Sequence, residues 1–197
     1  MKSSILVPAH APNVYFAART YAALGLSVLP CTGKKPALTH WAHLQSRCAI
    51  APTIDAWHKA GLLENVGIIC GAVSGNLAVV DLDGAAAVDR FQAIFSSLLD
   101  TYAVRSGSGQ GMHYYFYCDR LPPSTRYTSA TGNLELRANG MYVVAPPSVH
   151  PDSLRNYTVA QESDIRHVSD LQSVVELLRS LIKDKHGGHM PPPANGG

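Results

Sequence analysis

The sequence predicts a mixed α/β (α+β) fold, on three observations. An apolar run, Leu77-Ala78-Val79-Val80, reads as a buried strand that closes on Asp81-Leu82-Asp83. Directly behind it, Ala85 to Leu98 sets Val88, Phe91, Phe95 and Leu98 on one helical stripe, so strand and amphipathic helix are neighbours in the chain. The tract His113 to Cys118 is dense in aromatic strand formers, and Asn139-Gly140, a strong hairpin signal, separates two more strand-like stretches.

Each element has its own local warrant. Asn13 to Leu24 carries Val14, Ala17, Tyr21 and Leu24 at helical spacing, with Gly25 at the stop position. Leu26 to Pro30 is a short strand, and Thr32-Gly33-Lys34-Lys35-Pro36 is a loop presenting two lysines, with Trp41 at its exit. Those lysines suit phosphate as point charges, or are simply a solvated turn. Thr53 is a cap for a helix over Ile54 to Leu63, and Asn65 to Cys70 is the next strand. A tight connection, Gly71 to Asn76, leads into the aspartate strand, and the helix after it returns through a strand over Thr101 to Arg105. Asn133 to Arg137 and Met141 to Ala145 form a hairpin about Asn139-Gly140, ended by Pro146-Pro147-Ser148-Val149-His150-Pro151. Ser169-Asp170-Leu171-Gln172 matches a capping box opening a helix with Val174, Val175, Leu178 and Leu181. A folded unit is expected over residues 1–182, with 183–197, rich in Gly and Pro, as a flexible linker or chain end.

Composition bounds the function. With 197 residues the chain can build one well-buried unit of one or two lobes. No apolar run approaches the roughly 20 residues that span a bilayer. The first ten residues are too weakly apolar for a leader, so a cytoplasmic location without membrane contact is expected. Cys31, Cys48, Cys70 and Cys118 lack the paired spacing of zinc or redox motifs and are expected as reduced thiols, mostly core, with no zinc. A net charge of +2 neither requires nor excludes a nucleic-acid partner.

The chemistry concentrates on the aspartate strand. Side chains alternate along a strand, so Leu77, Val79, Asp81 and Asp83 share one face. Two carboxylates so close on a mostly buried strand repel unless a cation or donors compensate. A divalent metal of the Mg²⁺ or Mn²⁺ type is the simplest compensation; the other reading is a strand end meeting solvent with Asp83-Gly84 as a turn. Glu135 on a later strand completes an acidic set able to hold two metal ions, and the glycine-rich loop Ser106 to Gly111 with His113 is suited to grip a triphosphate. Taken singly, His113 also reads as a structural histidine, the loop as a plain connection, and Tyr114, Tyr115 and Tyr117 as core rather than a base-stacking platform. Neither a P-loop nor a dinucleotide fingerprint is present.

Five motifs occur in a telling order. They are Gly25-Leu26-Ser27-Val28-Leu29-Pro30 with Gly33-Lys34-Lys35-Pro36 and Trp41; Asn65-Val66-Gly67-Ile68 with Gly71; and Val79-Val80-Asp81-Leu82-Asp83. Then come Ser108-Gly109 through His113-Tyr114-Tyr115-Phe116, and Leu134-Glu135-Leu136-Arg137 with Pro146-Pro147-Ser148-Val149-His150. Over about Tyr15 to Tyr157 the chain resembles the primase-polymerase (prim-pol) domain of the archaeo-eukaryotic primase superfamily, found in replication proteins of plasmids, phages and integrated elements. The resemblance implies a two-lobed catalytic core with an RRM-like sheet that makes and extends DNA primers from dNTP or NTP substrates on a single-stranded DNA template. It implies Asp81, Asp83 and Glu135 as catalytic metal ligands for two Mg²⁺ or Mn²⁺ ions. It also implies His113, Ser108, Gly109, Arg137, Lys35, Ser148 and His150 as nucleotide contacts, and a following helical domain or a helicase as partner in longer relatives. Val79 to Gly84 also resembles the opening motif of haloacid-dehalogenase-like phosphatases, although Ala85 stands where that family wants Thr. A primase-like module that binds nucleic acid or nucleotide without catalysis is the third reading.

Overall fold

The structure, a computed structural model, describes residues 11–130 and 132–187. Asn13 caps the first helix, α1 (Val14–Ala23), its side-chain oxygen accepting from the Phe16 amide at 3.0 Å. Gly25, at φ +83°, ends that turn in the left-handed conformation that suits glycine. β1 (Ser27–Thr32) turns back into the short β2 (Lys35–Pro36), and Trp41 at the loop's exit packs edge-on against Tyr142 with ring centres 5.6 Å apart. The second helix, α2 (Ala51–Lys59), starts earlier than expected: Pro52 lies in its first turn, where a missing N–H is harmless, and Thr53 falls inside.

Next come β3 (Asn65–Ile69), β4 (Leu77–Asp83), α3 (Ala85–Ile94), β5 (Ala103–Arg105) and β6 (Met112–Cys118), each close to its expected position. The chain closes with β7 (Thr125–Ser129), β8 (Gly132–Arg137), β9 (Tyr142–Val144), β10 (Thr158–Gln161), β11 (Arg166–Val168) and α4 (Gln172–Gly187). The short strands β7, β10 and β11 were not expected. α4 is opened by Asp170, whose carboxylate accepts from the Gln172 amide at 3.0 Å, in place of the expected Ser169 capping box. It also runs past the expected boundary: residues 183–187 are helical, while 188–197 and the first ten residues lie outside the described residues.

The strands form two sheets. One is antiparallel in the order β2-β1-β3-β9; the other runs β10-β5-β6-β4-β8-β7, with β11 added parallel to β6. β4 and β5 flank β6, each antiparallel to it, so the unit β4-α3-β5 is split by the strand that follows it. The central order β5-β6-β4-β8, with α3 and α4 packed on one face, is the expected RRM-like sheet. On that helix-covered face Val80, Leu82, Phe116 and Leu136 meet Phe91 of α3 and Val174 and Leu178 of α4. On the other face Leu77, Val79, Val104 and Tyr115 pack against Val28, Val66 and Ile68 of the first sheet and Tyr21 of α1. Burial stabilises by about 2 kcal/mol per large apolar side chain, so β4, clamped between two cores, is the most firmly held strand.

The expected hairpin about Asn139-Gly140 is not formed. β8 pairs with β4 and β7 in the second sheet, and β9 pairs with β3 in the first. The turn itself exists, with Met141 N–H bonded to the Ala138 carbonyl at 3.1 Å and Gly140 at φ +79°. What redirects it is its docking: the Asn139 side chain accepts from the Ala72 amide at 2.9 Å, over Gly71, where any Cβ would stand 2.1 Å from the Asn139 Oδ1. The strong local signal therefore marks the crossing between sheets.

Among the described residues no helix is long and apolar enough to cross a membrane. All four cysteines are free thiols. Burial pushes the Cys31 and Cys70 thiols up to about 12 and Cys118 up to about 11, where the reactive thiolate is scarce. In the folded chain at pH 8, iodoacetamide should therefore label at most Cys48, the other three reacting only after denaturant is added; mass spectrometry showing two or more early labels would contradict this core.

Candidate functional site

The register of the second sheet assembles the site. Asp81 on β4 lies directly opposite His113 on β6 and directly opposite Glu135 on β8, and Glu135 in turn lies opposite Arg126 on β7. Four ionisable side chains thus stand in one rung across four strands. Asp83 and Arg137, each two residues along its own strand, share that face. It is the face whose other end is sealed by the first sheet, so the apolar half of β4 anchors the acidic half at the mouth of a cleft.

Arg137 organises the charges. Its Nε donates to Asp81 Oδ2 at 2.7 Å, its Nη2 to Glu135 Oε2 at 2.9 Å, and its Nη1 to the Tyr142 carbonyl at 3.2 Å. The remaining oxygens are also engaged: Asp81 Oδ1 lies 3.3 Å from His113 Nε2, and Glu135 Oε1 lies 3.1 Å from Arg126 Nε. Burial pushes the Asp81 carboxyl up, but the His113 imidazole and the Arg137 guanidinium outweigh it and hold that carboxyl well below the usual range. For Glu135 burial wins: its carboxyl is raised despite Arg137 and Arg126, with Asp81 and Asp83 adding to the rise. Among the described residues the half-buried Asp83 carboxylate has no hydrogen-bond or ion-pair partner.

The cleft, about 630 Å³, has Asp81, Asp83, His113 and Arg137 on its floor. Lys34 and Ser106 enter from loops, Tyr142 to Val144 form the wall given by β9, and Tyr157 stands beside His113 with ring centres 5.9 Å apart. The Tyr157 side chain is almost wholly buried, the residue being 4% exposed, yet its hydroxyl has no partner among the described residues. Burial, with the Asp81 and Asp83 charges, raises its pKa and keeps it a neutral donor. Among the described residues His113 Nδ1 is buried without a partner, as are the Tyr102 and Tyr115 hydroxyls in the core. A buried ring nitrogen left without a partner on a residue that lines a polar cleft is a group that a ligand can satisfy.

The expected residues divide. Asp81, Asp83, His113 and Arg137 line the cleft, whereas Glu135 sits behind Arg137 and does not. Among the described residues no group of three or more His, Cys, Asp or Glu side chains is arranged to hold a metal ion. Lys35, opposite Thr32 in the register, is exposed outside the cleft lining, which Lys34 reaches instead. Ser148 is fully buried and its hydroxyl is bonded to the Val66 backbone, tying the loop to β3. His150 is buried too, its Nδ1 accepting from the Asp152 and Ser153 amides at 3.3 and 3.4 Å, and burial and Lys34 push its pKa down. It braces the glycine-rich loop: a Cβ on Gly107 would come within 2.4 Å of the His150 Cβ. Ser108 is exposed with its hydroxyl 2.7 Å from Ser106 Oγ, and Gly109, at φ +82°, packs on Arg155. In this loop only Ser106 lines the cleft, and the glycines answer to packing as much as to any ligand.

Sequence reasoning weighed Lys34 and Ser106 only as members of phosphate-binding loops, and it passed over Tyr157 and Arg126 as site residues. Lys34 was visible as half of a lysine pair, and only the two-residue register of β1 and β2 decides between them. Tyr157 and Arg126 gave no signal, since one precedes and the other lies in a short strand without apolar periodicity.

A family model described as bifunctional DNA primase/polymerase, N-terminal, matches residues 18–173. No curated protein matches the chain. The family match covers the run that also resembles phosphatases and decides against that alternative.

The two arginines should differ sharply in worth. Arg137→Ala strands two buried carboxylates and should cost about 3 kcal/mol. Arg126 is 61% exposed, and Arg126→Ala should cost no more than about 1 kcal/mol. Urea unfolding of both variants measures the difference; equal losses would refute the bridging role of Arg137.

Proposed function

The chain belongs to the bifunctional DNA primase/polymerase N-terminal family, and from that premise we propose that it catalyses template-directed nucleotidyl transfer, making or extending primers from nucleoside triphosphates on single-stranded DNA. The observation that carries the reading is the rung in which Asp81 stands between His113 and Glu135, with Asp83 on the same face, on the floor of a polar cleft.

Asp81 and Asp83 fit a divalent ion of the Mg²⁺ or Mn²⁺ type. They offer oxygen donors only, on one face, and Asp83 has no hydrogen-bond or ion-pair partner among the described residues. Such ions, when bound, supply charge neutralisation at the transferring phosphoryl group and activation of the attacking hydroxyl. Everything else falls to the chain's own residues. Two guanidiniums against three carboxylates leave the floor with a net negative charge, so a triphosphate cannot settle there on protein cations alone. Lys34 at the rim, the buried His113 Nδ1 and the Tyr157 hydroxyl would bind its phosphate or sugar oxygens. Asp81, held as a carboxylate far below the usual range, is a poor proton acceptor and acts through charge and position. Glu135 would serve by holding Arg137.

In the transfer, the primer 3′-oxygen forms a bond to the α-phosphorus, the α–β anhydride bond breaks, pyrophosphate leaves, and the hydroxyl proton passes to water. Closeness and alignment of the two reactants supply most of the rate.

The deciding experiment is a priming and extension assay on single-stranded DNA with labelled dNTPs and, separately, NTPs. Incorporation by the wild type, lost by about a hundredfold or more in Asp81→Ala and Asp83→Ala with circular dichroism unchanged, is expected; undiminished synthesis in either variant would sink the assignment. Tyr157→Phe keeps the ring and removes one donor. It should raise the apparent KM for nucleotide by about tenfold, with a smaller change in kcat; an unchanged KM would take its hydroxyl out of the substrate site.

A further inference from the structure

We propose that Arg137 is a resident counter-ion that occupies the acidic oxygens of the cleft and keeps a free divalent cation from binding there until a triphosphate draws the guanidinium away. The inference rests on the nucleotidyl-transfer reading of the same site.

The first observation is occupancy. Asp81 and Glu135 between them have four oxygens, and each faces a nitrogen: Arg137 Nε and Nη2, His113 Nε2 and Arg126 Nε. Of the cleft's carboxylates, Asp83 alone has no hydrogen-bond or ion-pair partner among the described residues. A single free carboxylate is a weak site, since Mg²⁺ dehydrates reluctantly and is ordinarily held by one or two carboxylates together with substrate phosphates. Asp81 and Glu135 are thus already neutralised, by cations that belong to the chain, and Asp83 carries the net negative charge that remains.

The second observation is access. Arg137 lines the cleft with its side chain 22% exposed, and each of its three nitrogens makes a contact, to Asp81, to Glu135 and to the Tyr142 carbonyl. Guanidinium binds phosphate bidentately as readily as carboxylate. A triphosphate entering beside it competes for the same fork. As Arg137 turns its donors to phosphate, the Asp81 oxygen that it held becomes available to the cation that accompanies the nucleotide. Glu135, held from its outer side by Arg126, stays behind and keeps Arg137 in reach. Metal and nucleotide then enter with positive coupling, and each strengthens the other by the same factor.

This assigns Arg137 a positioning role that differs from simple nucleotide contact. It also separates the two acidic positions that the family resemblance would group together: Asp81 becomes an exchangeable partner, and Glu135 the anchor of the cation it exchanges with.

Mn²⁺ binding measured without nucleotide, from the free-ion electron paramagnetic resonance signal, tests it on four proteins. The wild type should bind weakly, and Arg137→Gln at least tenfold more tightly. Arg137→Lys keeps a charge but replaces the planar fork by a single point of charge, and should fall between. Arg126→Gln removes the same unit charge from the outer oxygen of Glu135 and should move the affinity less than threefold. Should Arg137→Gln fail to fold by circular dichroism, Arg137→Lys decides. Affinity in the folded Arg137 variants equal to or weaker than the wild type, or an equal gain in Arg126→Gln, would overturn the proposal. Failure of the wild type to incorporate nucleotide counts against the nucleotidyl-transfer reading, whereas an unchanged Mn²⁺ affinity counts against the role of Arg137 alone.

Discussion

A guanidinium set between two buried carboxylates is the contact on which the rest of this structure depends. β4 is the central strand of its sheet, flanked on both edges and packed on both faces, and such a strand ordinarily tolerates no charge. Asp81 is nonetheless there, and so is Glu135 beside it. Arg137 makes this possible by contacting both from one rigid planar group. A lysine in its place would offer a single point of charge rather than a planar fork.

The sheet separates its tasks by face and by end. One face, apolar along its central strands, binds the two helices. The other is apolar where the first sheet covers it and polar where the cover stops. A strand seven residues long crosses that boundary between Val79 and Asp81. Stability and chemistry are therefore built on the same backbone, and the hydrophobic half fixes the position of the acidic half to within the slack of a hydrogen-bonded ladder. The floor of the cleft is rigid for this reason, while the exposed Lys34, which enters from a turn, is the adaptable residue.

Much of this was legible in the residues, for definite physical causes. The face shared by Asp81 and Asp83 follows from strand alternation, and α1 and the aromatic strand β6 follow from periodicity and propensity. The order of motifs pointed to the family. Pairing across strands was beyond reach, because period-two patterns say which face a residue takes but not which neighbour it meets. Hence the Asn139-Gly140 turn read as a hairpin: its local chemistry is that of one, and only the docking on Gly71 sends the two strands apart. Ser148 and His150 lie in a motif that suggests ligand contact, yet their bonds go to Val66 and to the turn beyond Pro151. The polar groups of a motif can be there to shape the wall. Nor could any pattern reveal that Arg137 takes up Asp81 and Glu135 before a ligand does.

The crossing at Ala138 to Met141 has a mechanical consequence. The strand that ends at Arg137 belongs to the floor, and the one that begins at Tyr142 belongs to the wall, so a tether of four residues joins two surfaces that face each other across the cleft. Arg137 doubles that tether through the Tyr142 carbonyl. Two lobes tied so closely at one corner cannot swing apart there as jaws do. The gape at the acidic end is a fixed gauge, and bulk that exceeds it must be taken up on the far side, where the Lys34 loop and the turn after His150 form the rim.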